Sequence, residues 1–251
     1  MESEEAGVLP AGPMGWQMAN VTGVMPAPSA RRSRIKYLVF AAIAAMAAYV
    51  LYHNERFLIE AANPVWNHYE PFKWWLLPHG LAGLCALVLA PLQFAQGLRQ
   101  RHTMLHRTTG TLYVIAVFVL GPIGLYIQHL DEAQGAARSF TVETMIQSST
   151  LMITAGIGCY FALKRQFTYH RQWMIRSYAV ALTFLEIRVI LGVFGLDQPL
   201  DWHILETVVW SCTASSVLIG DIANQIYEGR LARRSTAGTA ALRASRVAVT
   251  R

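Results

Sequence analysis

Two His-Arg pairs, His106-Arg107 and His170-Arg171, stand 64 positions apart, each where a short basic stretch re-enters an apolar run. Imidazole is the commonest metal-binding side chain and the one whose charge changes near neutral pH. Two imidazoles facing each other across a helical core could ligate a haem iron axially, which suits b-type haem, with Arg107 and Arg171 beside them. The same pair could hold another metal, or touch a quinone or a lipid headgroup. The plainer alternative is that each His-Arg pair anchors headgroups and caps its loop. Gly110 lies four residues after His106, on the same helix face, and clears space beside the ring. Met174 and Ser177 follow His170 at four and seven residues, so the second position is less open.

A second constellation belongs to the opposite ends of the apolar runs. Pro78-His79-Gly80 opens one run, with Gly83 on the histidine's face. His203 and Glu206 share a helix face at i,i+3. Together with Glu143, these residue types could form a zinc-like or proton-carrying cluster of His79, Glu143, His203 and Glu206. They come from three helix starts, and the alternative is four interfacial polar groups facing water. His102 and His106 are spaced i,i+4, as a chelating pair would be. His53, His68 and His129 read as ordinary solvated side chains. Glu186 and Arg188 lie inside an apolar run, where charge is expensive and faces a bundle interior or a cavity. Two residues apart, they sit ~200° around a helix and do not pair with one another. Gln93 and Gln147 suit interhelical hydrogen bonds. Cys85, Cys159 and Cys212 each lie within an apolar run and read as small buried residues. No P-loop, dinucleotide fingerprint, HExxH or nucleophile elbow is present.

These residues must be positioned by membrane helices. The 251-residue chain is 54% hydrophobic and 14% charged, whereas soluble domains run near ~25% charged. A bilayer core of ~30 Å needs ~20 mostly apolar residues per helix. Six runs qualify: Ile35–Tyr52, Trp75–Phe94, Thr108–Ile127, Thr144–Leu163, Trp173–Phe194 and Ile204–Ile222. The expected organisation is a disordered segment 1–30, a membrane domain 31–228 and a basic, mobile tail 229–251. The acidic start lacks the basic region of a signal peptide. The net charge of +6 sits at helix ends, which points to orientation in a membrane and not to nucleic acid. Arg31, Arg32, Arg34 and Lys36 precede the first run. Loops 95–107 and 164–172 carry bases and no acid, loop 195–203 carries acids and no base, and Arg230, Arg233 and Arg234 open the tail. That alternation implies six spans with both termini cytoplasmic. Trp66, Tyr69, Trp74, Trp75 and Trp202 cluster at the outer ends, as an aromatic belt does.

LHRTTGTLYVIAV at 105–117 and YHRQWMIRSYAVAL at 169–182 share His-Arg and a tyrosine about two turns on, Tyr113 or Tyr178. Helices 2–3 and 4–5 thus read as two copies of one hairpin, related by an axis along the membrane normal. Helices 2–5 would form a four-helix core, with helices 1 and 6 peripheral. His79 then corresponds to Glu143.

The series HG-x2-L-x5-APLQF, LRQR-x4-HR-x2-G-x2-Y and H-x2-WMIRSYA, over about 75–195, resembles a bacterial membrane protein family, domain of unknown function 2306. Members usually read Gly-Pro where this chain has Ala90-Pro91. The resemblance implies an all-α polytopic architecture, no assigned biochemical role, and His79, Arg101, His106, Arg107, His170, Trp173, Met174 and Arg176 as its marked positions. The layout is also similar in plan to diheme cytochrome b561 and ferric-reductase-like bundles, which is analogy of layout alone. The leading expectation is a bacterial inner-membrane protein with a redox cofactor between His106 and His170, acting with a quinone or another membrane subunit. The rivals are a non-enzymatic small-solute or proton transporter or accessory subunit, and a metal-dependent membrane hydrolase.

Overall fold

In the computed structural model, residues 30–53, 60, 62–63, 65–196 and 201–249 are described, and they are helix or short connections, with no strand among them. Apart from Ala30, the segment 1–30 expected to be disordered lies outside the described residues. The helices are α1 (Ala30–His53), α2 (Val65–Tyr69), α3 (Lys73–Gln93), α4 (Gln96–Arg101), α5 (Thr103–Ala133), α6 (Arg138–Leu163), α7 (Phe167–Val193) and α8 (Trp202–Val249). A 3-10 turn, Glu70–Phe72, leads into α3. The chain divides into a unit Met1–Val39, whose described part is the start of α1, and a unit Phe40–Arg251 that carries everything below.

Among the described residues four segments are helical, long and apolar enough to cross a membrane: Glu70–Gln93, Thr103–Ala133, Arg138–Leu163 and Trp202–Arg233. Tyr37–His53 is a shorter apolar helix. At 27 residues α7 has the length of a span. Its Arg171, Arg176, Glu186 and Arg188 keep it from qualifying on composition. A lipid setting explains the rest of the composition. Leu77, Leu81, Leu84 and Val88 of α3, and Ile115 and Phe118 of α5, are exposed, and only lipid tails solvate such a surface without cost.

The core is built from small residues on α3 and large ones opposite. Ala82, Ala86 and Ala90 are buried four apart, so α3 approaches α5 closely, and Tyr113, Val117, Leu151, Ala155, Met174, Tyr178 and Val180 fill the centre. Without a hydrophobic driving force inside lipid, such close approach is what holds helices together. The α6–α7 connection is three residues long. Arg165 takes φ 58° there, while its N–H bonds Ala162 O at 3.0 Å and Gln166 N–H bonds Phe161 O at 2.9 Å. This is a Schellman stop, normally built on glycine. It turns the chain at once and sets the start of α7 against the end of α6.

Helix α8 packs along α7 through Arg176–Asp221, where Nε donates to Oδ1 at 2.5 Å, and through Asn224, whose side chain donates to Gln172 O at 3.0 Å. From residue 229 the backbone continues α8 as helix to Val249, because its alanines, arginines and leucines are strong helix formers although they make no apolar run. The segments expected as longer loops also shorten. Helix α5 begins at Thr103 and α6 at Arg138, so His106 and Glu143 both lie within helices.

Candidate functional site

His170 is the fourth residue of α7, and the tight α6–α7 turn brings it beside the last turns of α6. Its Nδ1 lies 2.8 Å from the Gly158 carbonyl. A carbonyl only accepts, so Nδ1 carries a proton, and in the neutral ring Nε2 keeps a lone pair. This is the tautomer of an imidazole that ligates a metal, oriented by a backbone carbonyl.

His106 is held differently. The end of α3 presents Gln93 to the first turns of α5. In the amide orientation that satisfies both ends, its nitrogen lies 2.8 Å from His106 Nδ1 and 3.1 Å from His106 O. The amide oxygen then faces the Gly110 N–H at 3.1 Å and Thr109 Oγ1 at 2.5 Å. Nδ1 accepts in that arrangement, which puts the ring proton on Nε2. Gly110 does clear space, but Gln93 takes it: a Cβ on Gly110 would stand 3.2 Å from the end of the Gln93 side-chain amide. Gln147, the other glutamine read as interhelical, makes no hydrogen bond among the described residues. His170 and Arg99 lie near enough to act electrostatically on His106. Arg107 points elsewhere, exposed on the outer side of α5 with Thr103, Met104 and Thr108. Arg171 turns to α8, its guanidinium 3.5 Å over the Tyr227 ring and Nη2 3.8 Å from Glu228. Neither arginine joins the histidine beside it in sequence, because neighbouring helical residues face ~100° apart.

The rest of the α7 signature holds the bundle together. Met174 fits against Gly158, where a Cβ would meet its sulfur at 2.7 Å. Arg176 lies 4.9 Å over Trp173 and bonds Asp221 of α8. Ser177 and Tyr113 of α5, both 0% exposed, share a hydrogen bond of 2.7 Å. Tyr178 reaches α3 at Leu87 O and packs on Phe94. Within this stretch α7 therefore touches α3, α5, α6 and α8. Tyr113 and Ser177 are separated by 64 positions, the same interval as His106 and His170. In that register the mate of Tyr113 is Ser177 and not Tyr178.

The four residues read as a metal cluster are dispersed. Glu143 is 3% exposed and accepts a hydrogen bond from Thr213 of α8. His203 is exposed at the start of α8 and Glu206 is half-buried. His79 packs into α5 against Gly124, with the Leu120 carbonyl facing the ring and Nδ1 buried without a partner. Among the described residues no group of three or more His, Cys, Asp or Glu is placed to hold a metal ion. Gly124 is a packing requirement, since a Cβ there would lie 2.8 Å from His79 Cε1. Gly124→Ala is expected to lower unfolding stability by about 1–3 kcal/mol through overpacking, read by thermal unfolding in detergent. Recovery in a Gly124→Ala, His79→Ala double variant would locate the clash at the ring.

Sequence reasoning read Gln93 as a candidate for interhelical hydrogen bonds but missed its attachment to His106. A signal existed: Ala82, Ala86, Ala90 and Gln93 form one stripe at helical spacing, and small residues mark the face that meets a neighbour. A family described as "Predicted membrane protein (DUF2306)" matches residues 76–223, more than half of the chain. No curated protein and no solved structure matches it.

Proposed function

Starting from a chain that belongs to this family of predicted membrane proteins, we propose a bacterial inner-membrane protein that binds a redox cofactor, b-type haem, between His106 and His170. The observation that carries this reading is His170 itself: Nδ1 is bonded to Gly158 O at 2.8 Å and Nε2 is free. A second imidazole, His106 of α5, lies within electrostatic reach. For His106 to offer its own Nε2, the Gln93 amide must turn so that its oxygen receives Nδ1–H. Gln93 is thus a positioning residue, and Arg99 is the nearby cation for an anionic edge of the ligand. Bound haem would supply one-electron transfer, with a quinone or another membrane subunit as partner. In the same reading α7 and the Tyr37–His53 helix join the four apolar spans, giving six crossings with both termini cytoplasmic. The pairs α3–α5 and α6–α7 are two copies of one hairpin. The Tyr113–Ser177 bond supports that repeat, since it joins positions 64 apart, where a twofold axis would run.

The test is the absorption spectrum of protein purified in detergent from haem-supplied cells, oxidised and then dithionite-reduced. A Soret band and a sharp reduced α-band are expected, both lost in His106→Ala and in His170→Ala. Gln93→Leu should retain the haem and shift its potential. A featureless spectrum, or a Soret band unchanged in both histidine variants, defeats the reading. A second reading, a non-enzymatic small-solute or proton transporter or an accessory subunit, is favoured by the burial of Glu143 among α6 and α8. It requires uptake that Glu143→Gln abolishes at unchanged protein level.

A further inference from the structure

A second polar cluster lies at the junction of α6, α7 and α8, in the half of the bundle away from His106. Glu143 enters from α6, 3% exposed, and accepts the Thr213 hydroxyl of α8. Cys212, the preceding residue of α8, is within electrostatic reach of both Glu143 and Glu186 of α7. Two acidic side chains from different helices therefore flank one short stretch of α8.

The register of α7 on α8 extends the cluster. Gln172 bonds Asn224 and Glu228, Arg176 bonds Asp221, and Gly220 abuts Arg176 and Ala179. Continuing the stripe 172–176–179 at helical spacing brings Thr183 opposite Ser216, and Glu186 opposite Cys212. Thr183 is 0% exposed and its hydroxyl has no hydrogen-bond partner. Ser216 is equally buried and gives its hydroxyl to Thr213 O at 2.8 Å, which leaves its oxygen lone pairs available.

Among the described residues the arginines of α7 nearest this junction are directed elsewhere. Arg176 is engaged by Asp221. Arg188 follows Glu186 by two residues, so it points ~200° around α7, and its guanidinium lies 5.4 Å from the Phe184 ring. Among the described residues neither Glu143 nor Glu186 has an ion pair. Uncompensated carboxylates at depth in a membrane are costly and mark ion sites.

We propose that this junction binds a small monovalent cation of the Na⁺ class, with the Glu143 and Glu186 carboxylates and the Thr183, Thr213 and Ser216 hydroxyls as oxygen ligands. Oxygen donors suit hard cations. A Ca²⁺ or Mg²⁺ centre would draw on further carboxylates, and no third acidic, histidine or cysteine ligand completes such a group among the described residues. The unpartnered Thr183 oxygen has a use in this site that hydrogen bonding within the protein does not give it. The site stands independently of the histidine pair.

The experiment is thermal unfolding of the purified full chain in detergent, in NaCl and in choline chloride at equal ionic strength. NaCl is expected to raise Tm by about 5–10 °C, as a ligand near a hundredfold excess over its Kd would. Glu143→Gln and Glu186→Gln should each lose the response, while Glu132→Gln and Arg188→Gln keep it. Equal Tm in the two salts, or a response to CaCl2 alone, overturns the proposal, as does a response that survives both Glu variants. Loss in Arg188→Gln overturns it too, by making that arginine part of the site. Should the Glu variants fail to fold, equilibrium binding of radioactive sodium to the unmutated protein decides. Saturable uptake displaced by NaCl and not by choline is expected, and no retained sodium overturns it.

Discussion

Tyr113→Ala lowers the unfolding free energy by about 3–5 kcal/mol, the range for removing a large aromatic side chain from a filled core. Tyr113 is 0% exposed and stands at the centre of the buried cluster drawn from α3, α5, α6 and α7. Truncation opens a cavity there and also strands the Ser177 hydroxyl, which has 0% exposure and so no outside partner to take. Tyr113→Phe separates the two effects. It keeps the ring, loses only the 2.7 Å bond to Ser177, and should cost about 1 kcal/mol, in line with interhelical hydrogen bonds in membranes. Unfolding by SDS titration in mixed micelles measures both. An alanine variant within about 1 kcal/mol of the parent would mean that the four helices are not packed around this residue.

How far this arrangement was legible depends on what each residue's neighbours are. Helices α3, α5, α6 and α8 announce themselves, because a long apolar run in lipid has a helix as its low-cost solution. His106 and His170 fall at the same end of the bundle for the same reason: alternate helices reverse direction, and both follow short turns. Which face each presents was harder to read. Arg107 and Arg171 were grouped with their histidines by adjacency in sequence, although helical geometry turns them away. The link from Gln93 to His106 needs the contact face of α3. The alanine stripe Ala82, Ala86 and Ala90 carries that information, since small residues mark the face that meets a neighbour. Glu143 was set with His79, His203 and Glu206 because all four lie near helix starts. Its actual partner, Thr213, lies eleven residues into α8 and gives no sign in sequence beyond being a hydroxyl. The residues by which α8 grips α7, Asp221 and Asn224, were not legible, because a repeat that accounts for α3–α7 says nothing about how a non-repeated helix attaches.

The bond of α8 to the bundle yields the second large effect. Arg176 Nε meets Asp221 Oδ1 at 2.5 Å, and the guanidinium also lies 4.9 Å from the Trp173 ring. Gly220 permits the approach, since a Cβ there would stand 3.0 Å from the Arg176 Cα. Asp221→Ala leaves a guanidinium without its counter-charge at the helix interface and should cost about 2–4 kcal/mol, somewhat below a fully buried pair because both side chains are partly exposed. Arg176→Leu alone should cost a similar amount. The Arg176→Leu, Asp221→Ala double variant should recover part of the loss, with a coupling of about 1–3 kcal/mol in the cycle. Strict additivity would show that the two groups do not stabilise one another. The result bears on the histidines as well, because α7 carries His170 one and a half turns before Arg176. If α8 fixes the position of α7, each single variant also loosens the His170 contact with Gly158. Haem occupancy, where the cofactor reading holds, should then fall in both single variants and rise again in the double.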